Sequence, residues 1–582
     1  MDEQQSLPNF SNKKRRADWL ASLPLAHQHE LEKTLSRTLQ ALNQAVMPPH
    51  QRFISLETIA EPLANILKSV KQQILSSHFP SSEKYKHHMR DICTLLQYFA
   101  EGYLKTIESL SAHGHDDKNG TFFTLAIFRA MQVHFTLQYI AYTNYRTPNS
   151  LTWANLHKLY DLALSKRIHF EKVIENPVDL VKAEHIESLY KQALLLSLAS
   201  PFQLSNNFTA KLTPTLVYWV QYCNMCDITE TTSDKGLFVV RPNYNTPPRP
   251  VKECDVNTYR GYFFDSTKLL HRVKQIASRP GIQLLPENVR NLINTSPLSN
   301  IKRVYRSWGK FSKRAFARRS TKKTLQLTLG FKHIYQTLEQ RQLKTKNDVA
   351  SSQLQSESAQ FDSYNIPNVG WDNVFQEVFE LDSPNDHILN NSIPHKLLRS
   401  VDSRFLKKQT GSTSTPKLEL KVVDESAGGF CLALPNKSNQ TVAIGDLVAV
   451  EFADKHNNAF TLCIVRWMKE TNQELLFGIE AISPFAEAIT LTEISKRNSE
   501  PMNTPGLLLP QIPSLNVEPS LVIPRSANLK ASDEYLLRTS TEEIVITLTK
   551  TVDSTGLYIQ SKYDAALGVN TLQDSTKPLF DF

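Results

Sequence analysis

The apolar residues of this chain follow two different periods, and the change between them limits what the chain can fold into. From about residue 25 to residue 230 the apolar positions recur with helical spacing. Five of these positions are Leu31, Leu35, Leu39, Leu42 and Val46. After Pro416, Leu418, Leu420 and Val422 alternate with polar residues, which is typical of a strand with one buried face. We therefore expect a multidomain α + β protein whose N-terminal helical bundle, or stack of helical hairpins, precedes antiparallel β structure.

Changes in composition along the 582 residues suggest five regions. The first is polar and ends in a run of basic residues, so we expect a disordered tail there. The expected regions are this tail (1–24), an α-helical domain (25–230), a mixed connector (231–300), a β region (301–500) interrupted by an insertion at about 331–416, and a small β module (501–582).

Positive charge is concentrated in the segment 302–323, which holds ten Lys and Arg residues and no acidic residue. The formal net charge of the whole chain is +9, so the remainder is close to neutral. A local positive field of this kind favours one basic site for a particular anion over a surface coated for bulk nucleic acid or membrane.

Targeting and membrane signals are absent from the sequence. The apolar runs are far shorter than the ~20 residues that a membrane-spanning helix needs. Residues 1–16 contain no apolar run typical of a secretory signal. The six cysteines do not form a disulfide framework. We expect a cytoplasmic protein without a membrane span.

Two short motifs flank the insertion. Arg314-Ala315-Phe316-Ala317-Arg318 precedes a predicted strand at 324–329. Asp424-Glu425-Ser426-Ala427-Gly428-Gly429 follows the predicted strand that starts near Leu418. These motifs resemble the PilZ domain, whose family marks are Arg-x-x-x-Arg before the first strand and Asp/Asn-x-Ser-x-x-Gly after the second. Ile464–Trp467 and Phe477–Glu480 are similar to later strands of that family.

The resemblance implies a β-barrel that binds the bacterial second messenger cyclic di-GMP, a dianion with two guanines. Arg314 and Arg318 are then the expected clamp, because the planar fork of arginine bonds bidentately to phosphate or to the O6/N7 edge of guanine. Asp424 is expected to accept from the N1 and N2 donors of guanine, and Ser426 to bond phosphate or base. Gly429 allows a tight turn, and Lys313 and Arg319 are possible additional phosphate contacts.

The sequence departs from a compact PilZ domain because residues 330–416 separate its two motifs. We expect a barrel that is split between adjacent strands. Such an excursion is tolerable, since the entropy cost of closing a loop grows only logarithmically with its length.

Three functional readings remain open. In the first, cyclic di-GMP changes how the protein binds an unidentified protein partner through the helical domain or through the amphipathic segment that begins at Trp371. In the second, a degenerate PilZ-like scaffold binds proteins without nucleotide. In the third, the segment 302–323 binds nucleic acid through its interleaved aromatic residues. No motif for catalysis, a cofactor or a metal is evident, so we do not expect an enzyme.

Overall fold

The computed structural model describes residues 10 and 12–565 except 113–116, 174–181, 228–235, 252–260, 278–280, 310–316, 353–416, 427, 453–459, 495–502, 512–517, 528, 530–532 and 556. The chain forms two compact units. The first comprises 1–313, 434–444 and 467–476, and the second comprises 314–433, 445–466 and 477–582.

The first unit is mainly helical, as its apolar periodicity predicts. One continuous core extends from Phe10 to Trp308 and collects the apolar faces of its helices. The helices are α1 (Lys13–Ala21), α2 (Gln28–Gln44), α3 (Pro49–Ser76), α4 (Glu83–Ala112), α5 (Asp117–Thr143), α6 (Ser150–Ser165), α7 (Ile186–Leu198), α8 (Asn206–Leu212), α9 (Leu216–Trp219), α10 (Thr267–Ala277), α11 (Glu287–Thr295) and α12 (Leu298–Gly309).

A small antiparallel sheet follows the helical domain and belongs to the same unit. Its strands are β1 (Asn224–Asp227), β2 (Leu237–Val240), β3 (Arg249–Pro250) and β4 (Tyr262–Asp265), in the order β1-β4-β2-β3. Phe238 and Phe264, paired across β2 and β4, join the helical core. The region expected as a mixed connector is therefore packed into the first unit.

The expectation of a disordered tail over residues 1–24 is wrong for the part that forms α1. The side chain of Asn12 caps this helix by accepting from the backbone N–H of Arg15 at 2.9 Å. Buried Phe10 contacts the ring of Trp19 edge to face, with their centroids 5.0 Å apart. The sequence does not predict this helix, because basic residues dominate it and only a few apolar residues anchor it.

A buried ionic cluster lies in the first unit. Glu470, whose side chain is 1 % exposed, accepts from the backbone N–H of Ser81 at 2.8 Å and from its hydroxyl at 3.1 Å. Lys86 Nζ lies 3.5 Å from the same carboxylate and Arg146 Nε lies 3.7 Å from it. These donors satisfy a charge that would otherwise be costly to bury.

A β-barrel follows, and most of its strand residues belong to the second unit. Its strands are β5 (Arg319–Ser320), β6 (Thr324–Leu329), β7 (Lys417–Ser426), β8 (Gly429–Pro435), β9 (Leu447–Phe452), β10 (Phe460–Glu470) and β11 (Glu474–Ser483). The order is β5-β7-β6-β9-β10-β11-β8, and pairing of β7 with β8 closes the ring. Buried Leu325 and Leu420 each lie between exposed residues, as the period of two predicts.

The barrel is split as expected. Strands β6 and β7 flank the insertion and pair antiparallel, with Thr324 opposite Lys421 and Thr328 opposite Lys417. The insertion starts with helix α13 (Phe331–Ser352), and residues 353–416 lie outside the described part of the chain. The Trp371 segment falls in that range.

The C-terminal β structure is a second closed barrel. Its strands are β12 (Glu487–Glu493), β13 (Asn503–Leu509), β14 (Ser520–Pro524), β15 (Glu534–Arg538), β16 (Glu543–Ser554) and β17 (Tyr558–Ala565), in the order β12-β13-β14-β17-β16-β15. Strand β12 pairs with both β13 and β15. This barrel therefore starts at Glu487, before the boundary that was expected at residue 501.

One helix joins the cores of the two barrels. Ile334 and Leu338 of α13 share a buried cluster with residues of both. The first barrel contributes Leu447, Ala449, Phe460, Leu462 and Ile464, and the second contributes Ala488, Leu507, Leu509, Val522 and Tyr558. Among the described helices of either unit, none has the length and apolar character required to cross a bilayer.

Candidate functional site

The two sequence motifs meet at one end of the first barrel. Strands β5 and β6 follow one another along the same edge of β7, and β5 places Arg319 opposite Glu425 and Ser320 opposite Asp424. The backbone N–H of Thr321 donates to the carbonyl of Val423 at 3.4 Å. The start of β5 therefore lies beside the second motif despite the insertion.

A direct contact links the motifs. The Nη1 of Arg318 lies 3.2 Å from Oδ2 of Asp424, although the residues are 106 positions apart in the chain. Their side chains are 32 % and 24 % exposed. Partly exposed ion pairs contribute only about 0–1 kcal/mol, so a ligand with stronger acceptors can redirect this arginine.

The second motif ends in a tight turn between β7 and β8. Ser426 pairs with Gly429, and its hydroxyl donates to the Gly429 carbonyl at 3.2 Å. The φ of Gly429 is +152°, and a Cβ built on it lies 1.9 Å from the carbonyl oxygen of Ile479. The backbone N–H of Ala481 donates to the Gly428 carbonyl at 3.0 Å. Glycine is required at 429 because β11 passes against the turn.

A second ion pair, which the sequence reasoning missed, accompanies the Arg318 contact. Lys323 Nζ lies 3.4 Å from Oε2 of Glu425. Glu425 occupies an unspecified position of the Asp-x-Ser-x-x-Gly motif, so the motif gives no signal for it. Opposite charges in the basic segment and on β7 were the available signal.

An arginine on β10 contacts two carboxylates. Arg466 Nε donates to Glu480 of β11, and its Nη1 lies 3.1 Å from Oδ2 of Asp553 on β16. Burial alone lowers the pKa of Arg466, but the adjacent carboxylates of Glu480 and Asp553 outweigh it and raise the pKa. Arg466 thus stays charged and bridges the two barrels. The sequence predicts the strands that carry Arg466 and Glu480, but no motif gives either residue a role.

The structure brings together part of the predicted set. Arg318, Asp424, Ser426 and Gly429 lie at one end of β7, and exposed Arg319 is on adjacent β5. Lys313 and Arg314 lie outside the described residues. The described side chains offer guanidinium donors, a carboxylate acceptor and a hydroxyl, the groups needed for phosphate and base edges. In the part of the chain that the structure describes, no group of three His, Cys, Asp or Glu side chains is placed to hold a metal ion.

The chain is similar to known proteins over almost its whole length. Three family models match successive parts of the chain: the N-terminal domain of "Cyclic-di-GMP receptor FimW" (14–229), its "middle PilZ domain" (237–488) and the "FimW C-terminal beta-barrel domain" (488–566). The protein named "Cyclic-di-GMP receptor FimW" from Pseudomonas aeruginosa is 26 % identical over 568 residues, which cover 96 % of this chain and 91 % of that protein. No solved structure matches the chain. The chain therefore belongs to the PilZ-domain family that the FimW models describe.

Proposed function

We propose that this chain is a cytoplasmic bacterial receptor that binds cyclic di-GMP where β5 meets the end of β7. The observation that carries the proposal is the contact between Arg318 and Asp424, which joins two motifs on opposite sides of a long insertion. The full-length similarity to a protein named as a cyclic di-GMP receptor supports the choice of ligand.

Binding in this proposal exchanges one partner of Arg318 for another. The guanidinium turns from Asp424 to a phosphate or guanine edge of the ligand, where it forms two parallel charge-assisted bonds. Asp424 is then available to accept from the N1 and N2 donors of guanine. Arg314 supplies the second fork, and Lys313 and Arg319 add positive charge for the phosphates. Ser426 contributes its hydroxyl from the turn that Gly429 permits.

The ligand would also act as a switch. The ten positive charges of 302–323 repel one another when the site is empty, and a bound dianion neutralises part of this charge. Binding therefore favours the conformation of the basic segment that holds the ligand. We propose that this change alters contact with a protein partner, through the helical domain or the Trp371 segment.

Calorimetric titration of cyclic di-GMP into the whole protein tests the proposal. Each charge-assisted bond contributes about 1.5–3 kcal/mol, so losing either arginine should weaken binding about tenfold to a hundredfold. We expect saturable binding by the wild type and no detectable binding by the Arg314→Ala/Arg318→Ala variant. The matched control is Arg249→Ala/Arg290→Ala, which removes two positive charges from the first unit and should bind like the wild type.

Two results would contradict the proposal. If the wild type neither releases heat nor binds by a second method such as equilibrium dialysis, the scaffold reading stands. If it binds single-stranded DNA of any sequence with an affinity that falls steeply with salt, and binds cyclic di-GMP no better than that DNA, the nucleic-acid reading stands.

A further inference from the structure

We propose that Arg466 is a positioning residue for the candidate site and that the C-terminal barrel, through Asp553, helps to hold that site in shape. This inference rests on the proposed function, because it concerns affinity for cyclic di-GMP. Arg466 acts through the turn of the second motif and is not proposed to touch the ligand.

The turn at the end of the second motif packs against β11. Gly429 packs against the Ile479 carbonyl so closely that no side chain fits between them. On the other side of Glu480, the Ala481 N–H is bonded to the Gly428 carbonyl. The backbone on both sides of Glu480 therefore sets where the turn lies, and Ser426 and Asp424 precede that turn directly.

An ion pair holds the side chain of Glu480 in place. Its carboxylate accepts from Arg466 on the neighbouring strand, and Arg466 also bonds Asp553. The side chains of Arg466 and Asp553 are only 26 % and 16 % exposed, so solvent screens this pair less than it screens a surface pair. Without the arginine, two carboxylates that now share one cation would repel each other. That repulsion acts on Glu480, which lies on β11 between Ile479 and Ala481, the two residues whose backbone contacts the turn.

Asp553 belongs to a region of the second barrel that packs on the first barrel. Gly445, with φ +89°, lies against the side chain of Thr555, whose Cβ is 3.2 Å from a Cβ built on the glycine. The nearby Tyr558 is part of the core shared by both barrels. The second barrel is therefore firmly enough placed to act as a support for Arg466.

The test compares variants of the whole protein by cyclic di-GMP titration, thermal unfolding and hydrogen exchange of the segment around Ala481. We expect Arg466→Gln and Asp553→Asn to weaken binding about tenfold, the scale of coupling within a side-chain network. Hydrogen exchange at Ala481 should rise in both. Arg466→Lys keeps the charge but loses the fork, so its affinity should fall between wild type and Arg466→Gln. The control is Arg538→Gln, which removes an arginine paired with Glu543 at 2.8 Å in the same unit and should bind like the wild type.

The outcomes separate the inference from the function on which it rests. Wild-type affinity in folded Arg466→Gln overturns the role of Arg466, and wild-type affinity in Asp553→Asn overturns the role of the second barrel. If Arg466→Gln does not fold, Arg466→Lys and Asp553→Asn decide the same points. If the wild type itself does not bind, the proposed function fails, and hydrogen exchange then decides alone: unchanged exchange at Ala481 in Asp553→Asn and Arg466→Lys overturns the positioning role.

Discussion

Gly429 is the residue at which the candidate site tolerates least change. A methyl group there would meet a backbone carbonyl, which cannot turn away as a side chain can. We expect Gly429→Ala to lower the free energy of unfolding of the second unit by about 1–3 kcal/mol, as overpacking does, and to weaken cyclic di-GMP binding at least about tenfold. Urea unfolding and calorimetric titration measure the two effects.

The control for this prediction is another glycine with free space around it. Gly120 lies in α5, and a Cβ built on it meets no atom within 4 Å. Gly120→Ala should stabilise its helix by up to about 1 kcal/mol and leave binding unchanged. Equal effects of the two substitutions would show that the close approach of β11 is unimportant.

His134 makes the stability of the helical core depend on pH. Its side chain is buried in α5, and neither ring nitrogen has a hydrogen-bond partner among the described residues. Burial lowers its pKa to about 4. In the unfolded chain the ring binds a proton near its ordinary pKa, so between about pH 6.5 and pH 4 the unfolded state holds more protons and stability falls as the pH falls.

Substitution of this histidine isolates its effect. Between pH 7 and pH 4, the free energy of unfolding of His134→Leu should fall less than that of the wild type, by on the order of 3 kcal/mol. Urea unfolding at a series of pH values measures the difference. The matched control is His87→Gln, which changes a 71 % exposed side chain and leaves His134 in place. Parallel curves for His134→Leu and the wild type would contradict the prediction.

Among the elements, the end of β10 depends on the buried cluster around Glu470. Glu470→Ala leaves the side chain of Lys86, 4 % exposed, without its buried partner and removes the acceptor of both Ser81 donors. Breaking a buried ion pair in this way costs about 3–5 kcal/mol. We expect the first unit to unfold at a correspondingly lower urea concentration, as followed by tryptophan fluorescence.

An exposed pair in the same unit serves as the comparison for Glu470. Glu30 lies 3.4 Å from Lys33 on α2, and their side chains are 62 % and 49 % exposed. Glu30→Ala should cost no more than about 1 kcal/mol. A similar small cost for Glu470→Ala would mean that burial of the cluster adds nothing to stability.

The sequence predicts elements best where a regular period continues for several turns or residues. The helices of the first unit and β6 and β7 follow from such periods. Helix α1 is not predicted because basic residues dominate it and only Phe10 and a few apolar residues anchor it. Strand β12 is apparent only from its partners β13 and β15. That the C-terminal strands close into a barrel is likewise a property of pairing, which no single segment reveals.

The candidate site was predictable to the extent that short motifs mark it. The motifs suggest that Arg318 and Asp424 belong together, and the structure places them in contact. Arg466 could not be found in this way, because its partner Asp553 is 87 residues away in a strand without a recognisable motif. Long-range ion pairs of this kind depend on how two barrels pack, which the local sequence does not encode.

On the scale of the whole molecule, the chain forms two compact units. The first unit collects long helices around one core, and the second combines two barrels around α13. Apart from Lys313, the residues proposed to bind cyclic di-GMP and those proposed to position them belong to the second unit. Of these residues, Lys313 alone belongs to the first unit.

The pairing of β6 with β7 and β9 has a consequence for the growing chain on the ribosome. Both partners of β6 follow the insertion, so this strand emerges long before either is available. At about 5–20 residues per second, the roughly ninety residues between β6 and β7 take on the order of 4–20 seconds to synthesise. During that interval Leu325 and Leu327, which are buried in the finished barrel, have no sheet to cover them. Because of the insertion, this strand is more exposed to aggregation during synthesis of the chain than in the folded protein.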